Sequence, residues 1–190
     1  MVTTPIRSKQ DIEIIKNYYL EKERYRDYAL FVMGINTALR ISDMLLLKWV
    51  SVFDYSRDMY RRHLDIIEQK TQKHSVIAIN RSCVEALDLL KCHTTTSEKE
   101  YIFCRENDHF SHISRNRAYH IIKDVAVKNH IEGNISCHSL RKTFGYHAWK
   151  QGAPSALIMH IYNHSNIEIT KRYLSIYQDD KDELYDSINL

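Results

Sequence analysis

The residues that decide the fold of this chain run from His138 to Tyr173. They read Cys-His-Ser-Leu-Arg-Lys-Thr-Phe at 137–144, Tyr-Asn-His-Ser at 162–165 and Thr-Lys-Arg-Tyr at 170–173. His138 and Arg141 are three positions apart, which places them on one face of a helix. A guanidinium binds two oxygens of a phosphate, and a histidine beside it can move a proton. His164 follows a second helical segment, and Tyr173 offers a phenol as a nucleophile nine residues later.

The composition fits a single globular domain. At 190 residues the chain is long enough for a sizeable core, and its 44% hydrophobic and 27% charged residues are ordinary for a soluble protein. The 4 Gly and 2 Pro favour helices over a turn-rich all-β design. A net charge of +3 neither requires nor excludes nucleic acid, because the placement of the basic residues decides. We expect a mainly α protein with a small antiparallel β-sheet (α+β), in one domain over residues 1–190.

Cysteine spacing and hydropathy indicate a cytoplasmic protein. The 4 cysteines form no C-x-x-C pair, which is typical of reduced thiols and predicts neither a zinc site nor a redox motif. No signal-peptide pattern opens the sequence. The longest apolar run, around residues 28–39, is too short and interrupted to span a bilayer.

Residues 50–80 change from helical to strand-like periodicity. Short β-branched runs at 64–68 and 76–79 flank the polar residues 70–73, which predicts an antiparallel hairpin. A third strand is expected near 52–55, giving a sheet of about three strands. The turn lacks the Gly or Asn that tight turns favour, so its type stays open.

A further polar cluster lies at residues 37–43, which read Thr-Ala-Leu-Arg-Ile-Ser-Asp in a very apolar neighbourhood. Arg40 falls at the junction of two predicted helices. The residues alone leave two interpretations open. Arg40 either caps a helix end or pairs with Asp43, or it binds an anion, and short motifs match often by chance.

Together these segments resemble the tyrosine recombinases of the phage-integrase family. The C-terminal stretch matches that family's His-x-x-Arg, a His or Trp, and a nucleophilic Tyr, and residues 37–43 match its first arginine box with Ala38 for Gly and Asp43 for Glu. Asn163 stands where the family usually has Gly, and a left-handed backbone tolerates Asn. With 39 residues before Arg40, the chain resembles short members, such as fimbrial-switch recombinases, that lack the N-terminal core-binding domain.

The resemblance implies the fold of the tyrosine recombinase catalytic domain, and a site-specific recombinase that integrates, excises or inverts DNA without metal, ATP or another cofactor. The implied catalytic residues are Arg40, Lys70, His138, Arg141, His164 and Tyr173. On this pattern Tyr173 forms a 3′-phosphotyrosyl link, and His138 accepts its proton. Lys70 protonates the leaving oxygen, with Lys73 as the alternative lysine. Asp43 is expected to orient Arg40.

The resemblance also implies double-stranded DNA as the partner. Arg115 and Arg117 lie on the outer side of a helix predicted to begin after Ser114, and with Lys73 and Lys142 they are expected to bind phosphates rather than read bases. We expect a dimer or a tetrameric synapse on DNA, association with the nucleoid when bound, and no membrane contact. Residues 179–190 are expected to form a tail whose apolar side chains pack on a neighbouring protomer or on the chain's own body. These side chains are Leu184, Ile188 and Leu190.

Three alternatives compete with recombination. A type IB topoisomerase uses similar chemistry, and a DNA-binding regulator would keep the fold without activity. A metal site built from His138, His147, His160 and His164 lacks an H-E-x-x-H pattern and is disfavoured. Tyr162 and Tyr177 match no nucleophile position, so they are expected to serve as controls for Tyr173.

Overall fold

The computed structural model describes residues 2–188, in which helices surround three small antiparallel sheets. The helices are α1 (Lys9–Glu21), α2 (Tyr25–Thr37), α3 (Ile41–Met44), α4 (Trp49–Val52), α5 (Arg81–Cys92), α6 (Arg115–Lys128), α7 (Cys137–Lys150), α8 (Ser155–Tyr162), α9 (Ile167–Leu174) and α10 (Tyr177–Ser187). The strands are β1 (Phe53–Asp54), β2 (Met59–Tyr60), β3 (His63–Ile67), β4 (His74–Ala78), β5 (Cys104–Arg105) and β6 (Asp108–His112). The predicted fold class, mainly α with small antiparallel β-structure, is confirmed.

Short polar side chains set the starts of the helices. Ser8 accepts a hydrogen bond from the Asp11 amide at 3.2 Å, and Ser114 accepts one from the Arg117 amide at 3.1 Å. Each bond satisfies an amide that has no partner within its own helix. The start predicted after Ser114 is therefore confirmed, and it fixes the orientation of the basic first turn of α6.

The predicted hairpin is present, but the expected third strand does not join it. Strands β3 and β4 form a two-stranded sheet that no other strand between residues 2 and 188 joins. Strand β1 pairs with β2 in a separate sheet. The turn between β3 and β4 closes because Gln72 adopts φ +54°, the left-handed conformation usually left to Gly or Asn. The Gln72 amide then donates to the Glu68 carbonyl at 2.8 Å.

The hydrophobic interior consists of two clusters. The larger one surrounds α2, whose buried face packs against α5 and α7 and includes Phe31. The smaller one lies between α7, α8 and α9, and its buried members are Ala38, Tyr146, Ile158, Tyr162, Leu174 and Ile176. Helix α7 therefore contributes to both clusters and connects them.

The C-terminal tail is helical as far as Ser187. Leu184 in α10 is 59% exposed and Ile188, which follows it, is 57% exposed, so these two side chains do not fold back on the chain as one of the two expectations had it. Leu190 lies outside the described residues. Packing on a neighbouring protomer stays a prediction. No helix between residues 2 and 188 has both the length and the hydropathy to cross a membrane.

Candidate active site

Arg141 is the fixed centre of the site. It is 6% exposed and donates through Nη1 to the carbonyl of Ala38 and through Nη2 to the carbonyl of Ile161 at 3.3 Å. Its guanidinium lies 4.6 Å above the ring of Tyr162, whose hydroxyl donates back to the Arg141 carbonyl at 2.6 Å. The Ala38 carbonyl points this way because Ala38 ends α2 at φ +55°, where the family's Gly would stand.

Arg40 has extended backbone and immediately precedes α3. Burial lowers the pKa of the Arg141 guanidinium, and the positive charge of Arg40 acts on it in the same direction. The Nη1 of Arg40 donates to Oε2 of Glu68, a buried carboxylate at the end of β3. Burial alone would raise the pKa of Glu68, but hydrogen bonds from Thr71, Arg40 and Ser75 outweigh it and hold this pKa below its ordinary value. Arg40 therefore faces a fully ionised partner at neutral pH.

The acid that meets Arg40 is thus Glu68, and the expectation that Asp43 orients Arg40 is wrong. Asp43 lies in α3, where its Oδ1 accepts the backbone amide of Gln69 at 3.0 Å and its buried Oδ2 has no hydrogen-bond partner. Asp43 therefore binds the turn after β3 rather than the arginine three residues before it.

His164 and Tyr173 come together through α8 and α9. Asn163 takes φ +55°, as predicted for the position where the family has Gly, and this reverses the chain after α8. The ring of His164 then lies 5.3 Å from that of Tyr173, and its Nδ1 is 3.1 Å from the Thr170 hydroxyl. Burial raises the pKa of Tyr173 above its ordinary value, against the opposing charges of Arg141 and Arg40. The phenol is therefore protonated at neutral pH and needs a proton acceptor.

His138 and Lys70 complete the group from two different elements. His138 lies in the first turn of α7, and Lys70 is exposed on the turn between β3 and β4. Desolvation lowers the pKa of His138, and the charges of Lys142, Arg141, Lys70 and Arg40 lower it further. The charges of Lys70, Arg40 and Arg141 therefore act on His138, whose lowered pKa leaves it neutral and able to accept a proton near pH 7.

The four expected DNA contacts fall in different places. Arg115 and Arg117 are exposed on the first turn of α6. Lys73 is also exposed, and its Nζ donates to Asn163 at 2.9 Å across the site. Lys142, by contrast, is 4% exposed: its Nζ donates to the Thr3 carbonyl at 2.6 Å. Lys142 is therefore not a surface residue in the absence of DNA, and its contact with DNA stays a prediction.

Two residues that the sequence interpretation passed over or misjudged are structural partners of the arginines. Tyr162 was expected to be a neutral control, but its ring and hydroxyl both contact Arg141, so replacing it would disturb the site. The side chain of Tyr177 lies outside the part of the chain that the structure describes.

Glu68 was not singled out, although strand alternation places it on the same face as buried Leu64 and half-buried Ile66. A carboxylate on an apolar strand face signals a buried partner.

The histidines considered for a metal site do not converge. His147 directs Nε2 to the carbonyl of Ile6 at 3.1 Å, on the side of α7 where the N-terminal segment packs. Over residues 2–188, no group of three or more His, Cys, Asp or Glu side chains is arranged to hold a metal ion.

Comparison with known proteins agrees with this geometry. The phage integrase family model matches residues 6–179. The probable integrase/recombinase YoeC of Bacillus subtilis (strain 168) is 38% identical, with 94% of this chain and 92% of that protein covered. The type 1 fimbriae regulatory protein FimE of Escherichia coli (strain K12) is 27% identical over 78% of this chain and 73% of that protein.

Solved structures share the fold at low sequence identity. The XerA recombinase superposes with a TM-score of 0.75 at 18% identity, covering 98% of this chain but 64% of that one. The XerH recombinase, bound to a palindromic difH substrate in a post-cleavage complex, gives 0.71 at 16% identity, with 97% and 53% covered. The chain thus spans little more than half the length of these longer proteins. The match over residues 6–179 and the 38% identity to YoeC establish that this chain belongs to the phage integrase family, as its His138–Tyr173 stretch predicted.

Proposed function

We propose that this protein is a site-specific DNA recombinase that cuts and rejoins duplex DNA through a covalent link to Tyr173. The observation that carries the proposal is the grouping of two arginines, two histidines and one phenol from the start of α3, from α7, and from the segment that runs from the end of α8 through α9. The ring of Tyr173 lies 5.3 Å from that of His164, and the charges of Arg40 and Arg141 both act on its phenol. A phosphodiester placed among these groups meets a nucleophile and positive charge together.

In the cleavage step, the Tyr173 oxygen attacks the scissile phosphorus while the bond from phosphorus to the 5′-oxygen breaks. The phenol proton passes to neutral His138, and Lys70 delivers a proton to the departing 5′-oxygen. The products are a 3′-phosphotyrosyl diester and a free 5′-hydroxyl. One phosphodiester replaces another, so the step needs neither ATP nor a metal ion, and the reverse reaction rejoins the strand.

The arginines supply electrostatic stabilisation. Charge builds on the non-bridging oxygens in the transition state, and fixed guanidinium donors stabilise that charge without having to reorganise. Arg141 is held by the Ala38 and Ile161 carbonyls and Arg40 by Glu68, so both are fixed before DNA binds.

His164 acts as a further donor to the phosphate. The Thr170 hydroxyl lies 3.1 Å from Nδ1 and donates its own proton to the Asn166 carbonyl at 3.3 Å. Nε2 is therefore the ring nitrogen left to face the phosphate, and it donates to a non-bridging oxygen in the ring form that carries a proton there. Burial lowers the pKa of His164, and the charges of Arg141 and Arg40 lower it further.

The partner is double-stranded DNA, which the exposed Arg115, Arg117 and Lys73 bind through its phosphates. We infer that protomers pair on DNA, since exchange of strands needs two cut sites. A protein that works on chromosomal DNA would be found in the cytoplasm, on the nucleoid.

The decisive experiment is covalent trapping on nicked suicide DNA from the regions flanking the gene, in EDTA and without ATP. We expect a denaturant-resistant protein–DNA band from the wild type and none from Tyr173→Phe, which lacks only the hydroxyl. Tyr119→Phe is the matched control, because Tyr119 is 41% exposed on α6, and it should give the wild-type band. A band that survives in Tyr173→Phe but is lost in Tyr177→Phe would move the nucleophile.

Two further readouts, DNA binding and relaxation of supercoiled DNA, separate the competing activities. A DNA-binding regulator would shift the DNA without forming a covalent band. A topoisomerase would relax supercoiled DNA that carries no target site, whereas a site-specific recombinase would need its site. Absence of any band from the wild type would refute the proposed function.

A further inference from the structure

Glu68 joins two parts of the site that are far apart in the sequence. The residue is 4% exposed, and its Oε2 accepts hydrogen bonds from Arg40 and, at 2.9 Å, from the hydroxyl of Thr71. Its Oε1 accepts the hydroxyl of Ser75 at 3.0 Å. Both carboxylate oxygens therefore have partners: Oε2 binds the arginine and Thr71 of the hairpin turn together, and Oε1 binds Ser75 of β4.

That turn carries Lys70. Residues 68–73 close on themselves through the Glu68 amide, which donates to the Lys73 carbonyl at 2.9 Å, and the Glu68 carbonyl, which accepts from Gln72 at 2.8 Å. Lys70 itself is exposed within this loop, and its charge reaches His138. The position of the loop on the body is thus set by Glu68, by the bond from Gln69 to Asp43 and by the bond from Lys73 to Asn163.

We infer that Glu68 is a positioning residue for Lys70, because it fastens the turn that carries this lysine to the phosphate-binding Arg40. The inference rests on the proposed function. Arg40 binds a non-bridging oxygen of the scissile phosphate, and Lys70 must reach the bridging 5′-oxygen of the same phosphate. Proton transfer requires hydrogen-bonding distance, so a loop that shifts by about 1 Å relative to Arg40 loses much of the rate.

The sign of the charge argues against a role in binding DNA. A carboxylate in contact with Arg40 repels an approaching phosphate, so it opposes affinity rather than adding to it. Removing it should leave DNA binding unchanged or tighter. A loss of cleavage without a loss of binding is therefore the pattern that distinguishes positioning from simple attraction.

The experiment uses two suicide duplexes that differ in one atom, the bridging 5′-oxygen or a 5′-sulfur in its place. Sulfur leaves as a thiolate without needing a proton, because a thiol has a pKa near 8.5. On oxygen DNA we expect Glu68→Ala to form the covalent band at least about tenfold more slowly than wild type, which is part of the about 100-fold or more that general acid catalysis supplies. On sulfur DNA the part of this loss that comes from Lys70 should disappear, so the loss should be clearly smaller, and only the part that comes from the released Arg40 should remain. Lys70→Ala, which leaves Arg40 in place, should come within about threefold of wild type on sulfur DNA.

Two further variants complete the test. Asp65→Ala removes a 73% exposed carboxylate from the same hairpin, where its partner is His74, and should match wild type on both duplexes. Glu68→Gln keeps groups able to bond Arg40, Thr71 and Ser75, and should retain most of the rate on oxygen DNA. If Glu68→Ala does not fold, as judged by circular dichroism, the double variant Thr71→Val and Ser75→Ala loosens the turn alone and should show the same dependence on the leaving group.

Equal losses on oxygen and sulfur DNA would overturn the inference, as would wild-type rates for Glu68→Ala on both. A wild type that forms no band on either duplex would instead refute the proposed function, and the inference would fall with it. The two failures are therefore distinguishable by the wild-type lanes.

Discussion

Replacing Gly145 with alanine should displace the nucleophile. Gly145 lies in α7, where a Cβ atom would come 2.5 Å from a methyl of Leu174 and 2.6 Å from the hydroxyl of Tyr162. Real Cβ atoms essentially never approach so closely, so one of these neighbours has to move. Leu174 directly follows Tyr173 in α9, and Tyr162 supports Arg141. Either movement disturbs the reacting groups.

The expected cost to stability is small, whereas the cost to activity is large. Overpacking a core costs about 1–3 kcal/mol, and replacing a helical glycine by alanine returns about 1 kcal/mol of helix propensity. The net loss of up to about 2 kcal/mol would lower the melting temperature by only a few degrees. A displacement of about 1 Å at the nucleophile can slow the chemistry by about 100-fold. We therefore expect Gly145→Ala to be folded and to bind DNA, but to form the covalent band about 100-fold more slowly.

Gly152→Ala is the control for this prediction. Gly152 has φ +77°, so alanine there is strained by about 1–2 kcal/mol, yet its Cβ would meet no atom within 4 Å. It should lose similar stability and keep the wild-type rate of adduct formation. A wild-type rate in Gly145→Ala, or an equal loss in Gly152→Ala, would show that packing of α9 on α7 does not set the position of Tyr173.

Three other measurements test the charges and the tail. The pKa of His138 lies below its ordinary 6.5, and its neutral form accepts the proton, so cleavage of bound DNA should be level between pH 6.5 and about pH 8 and fall below pH 6.5. A cleavage rate that, on lowering the pH, begins to fall while the pH is still above 7 would contradict this assignment. Arg115→Glu with Arg117→Glu should weaken binding to all sequences alike and reduce the slope of log affinity against log salt by about 2, since each phosphate contact contributes about 0.9. Selective loss at one sequence would mean that these arginines read bases. Deleting residues 179–190 should reduce self-association on DNA, measured by crosslinking, because Leu184 and Ile188 are exposed; unchanged self-association and activity would exclude a role for the tail.

The sequence was sufficient where a residue's role follows from local spacing. His138 and Arg141 share a face because of helical geometry, and Asn163 adopts the left-handed conformation because it stands where a turn after α8 requires one. The hairpin around Lys70 followed from β-branched alternation on either side of a polar turn. Each of these inferences depends on contacts within a few residues of the chain.

The partners of the arginines could not be read in the same way. Arg40 and Glu68 are 28 positions apart, and the Arg141 guanidinium bonds a carbonyl 103 positions away. Asp43 was the nearer acid, but as part of α3 it meets the amide of Gln69 instead. Likewise, nothing local distinguishes Lys142 from a surface lysine, because its burial comes from the segment around Thr3, which packs over α7. Long-range packing decided each case.

These long-range partners bear on how the nucleophile is controlled. Before DNA binds, Arg40 is paired with Glu68 and Arg141 with two carbonyls, and burial keeps the pKa of Tyr173 above its ordinary value. The protein therefore holds its cations and a protonated phenol close together, without ionising the phenol. A bound phosphate brings the electrophile within reach of Tyr173 and excludes water, which strengthens the interactions among the charges around it. In the proposed mechanism the phenol loses its proton to His138 only as its bond to phosphorus forms, so the substrate itself would activate the nucleophile.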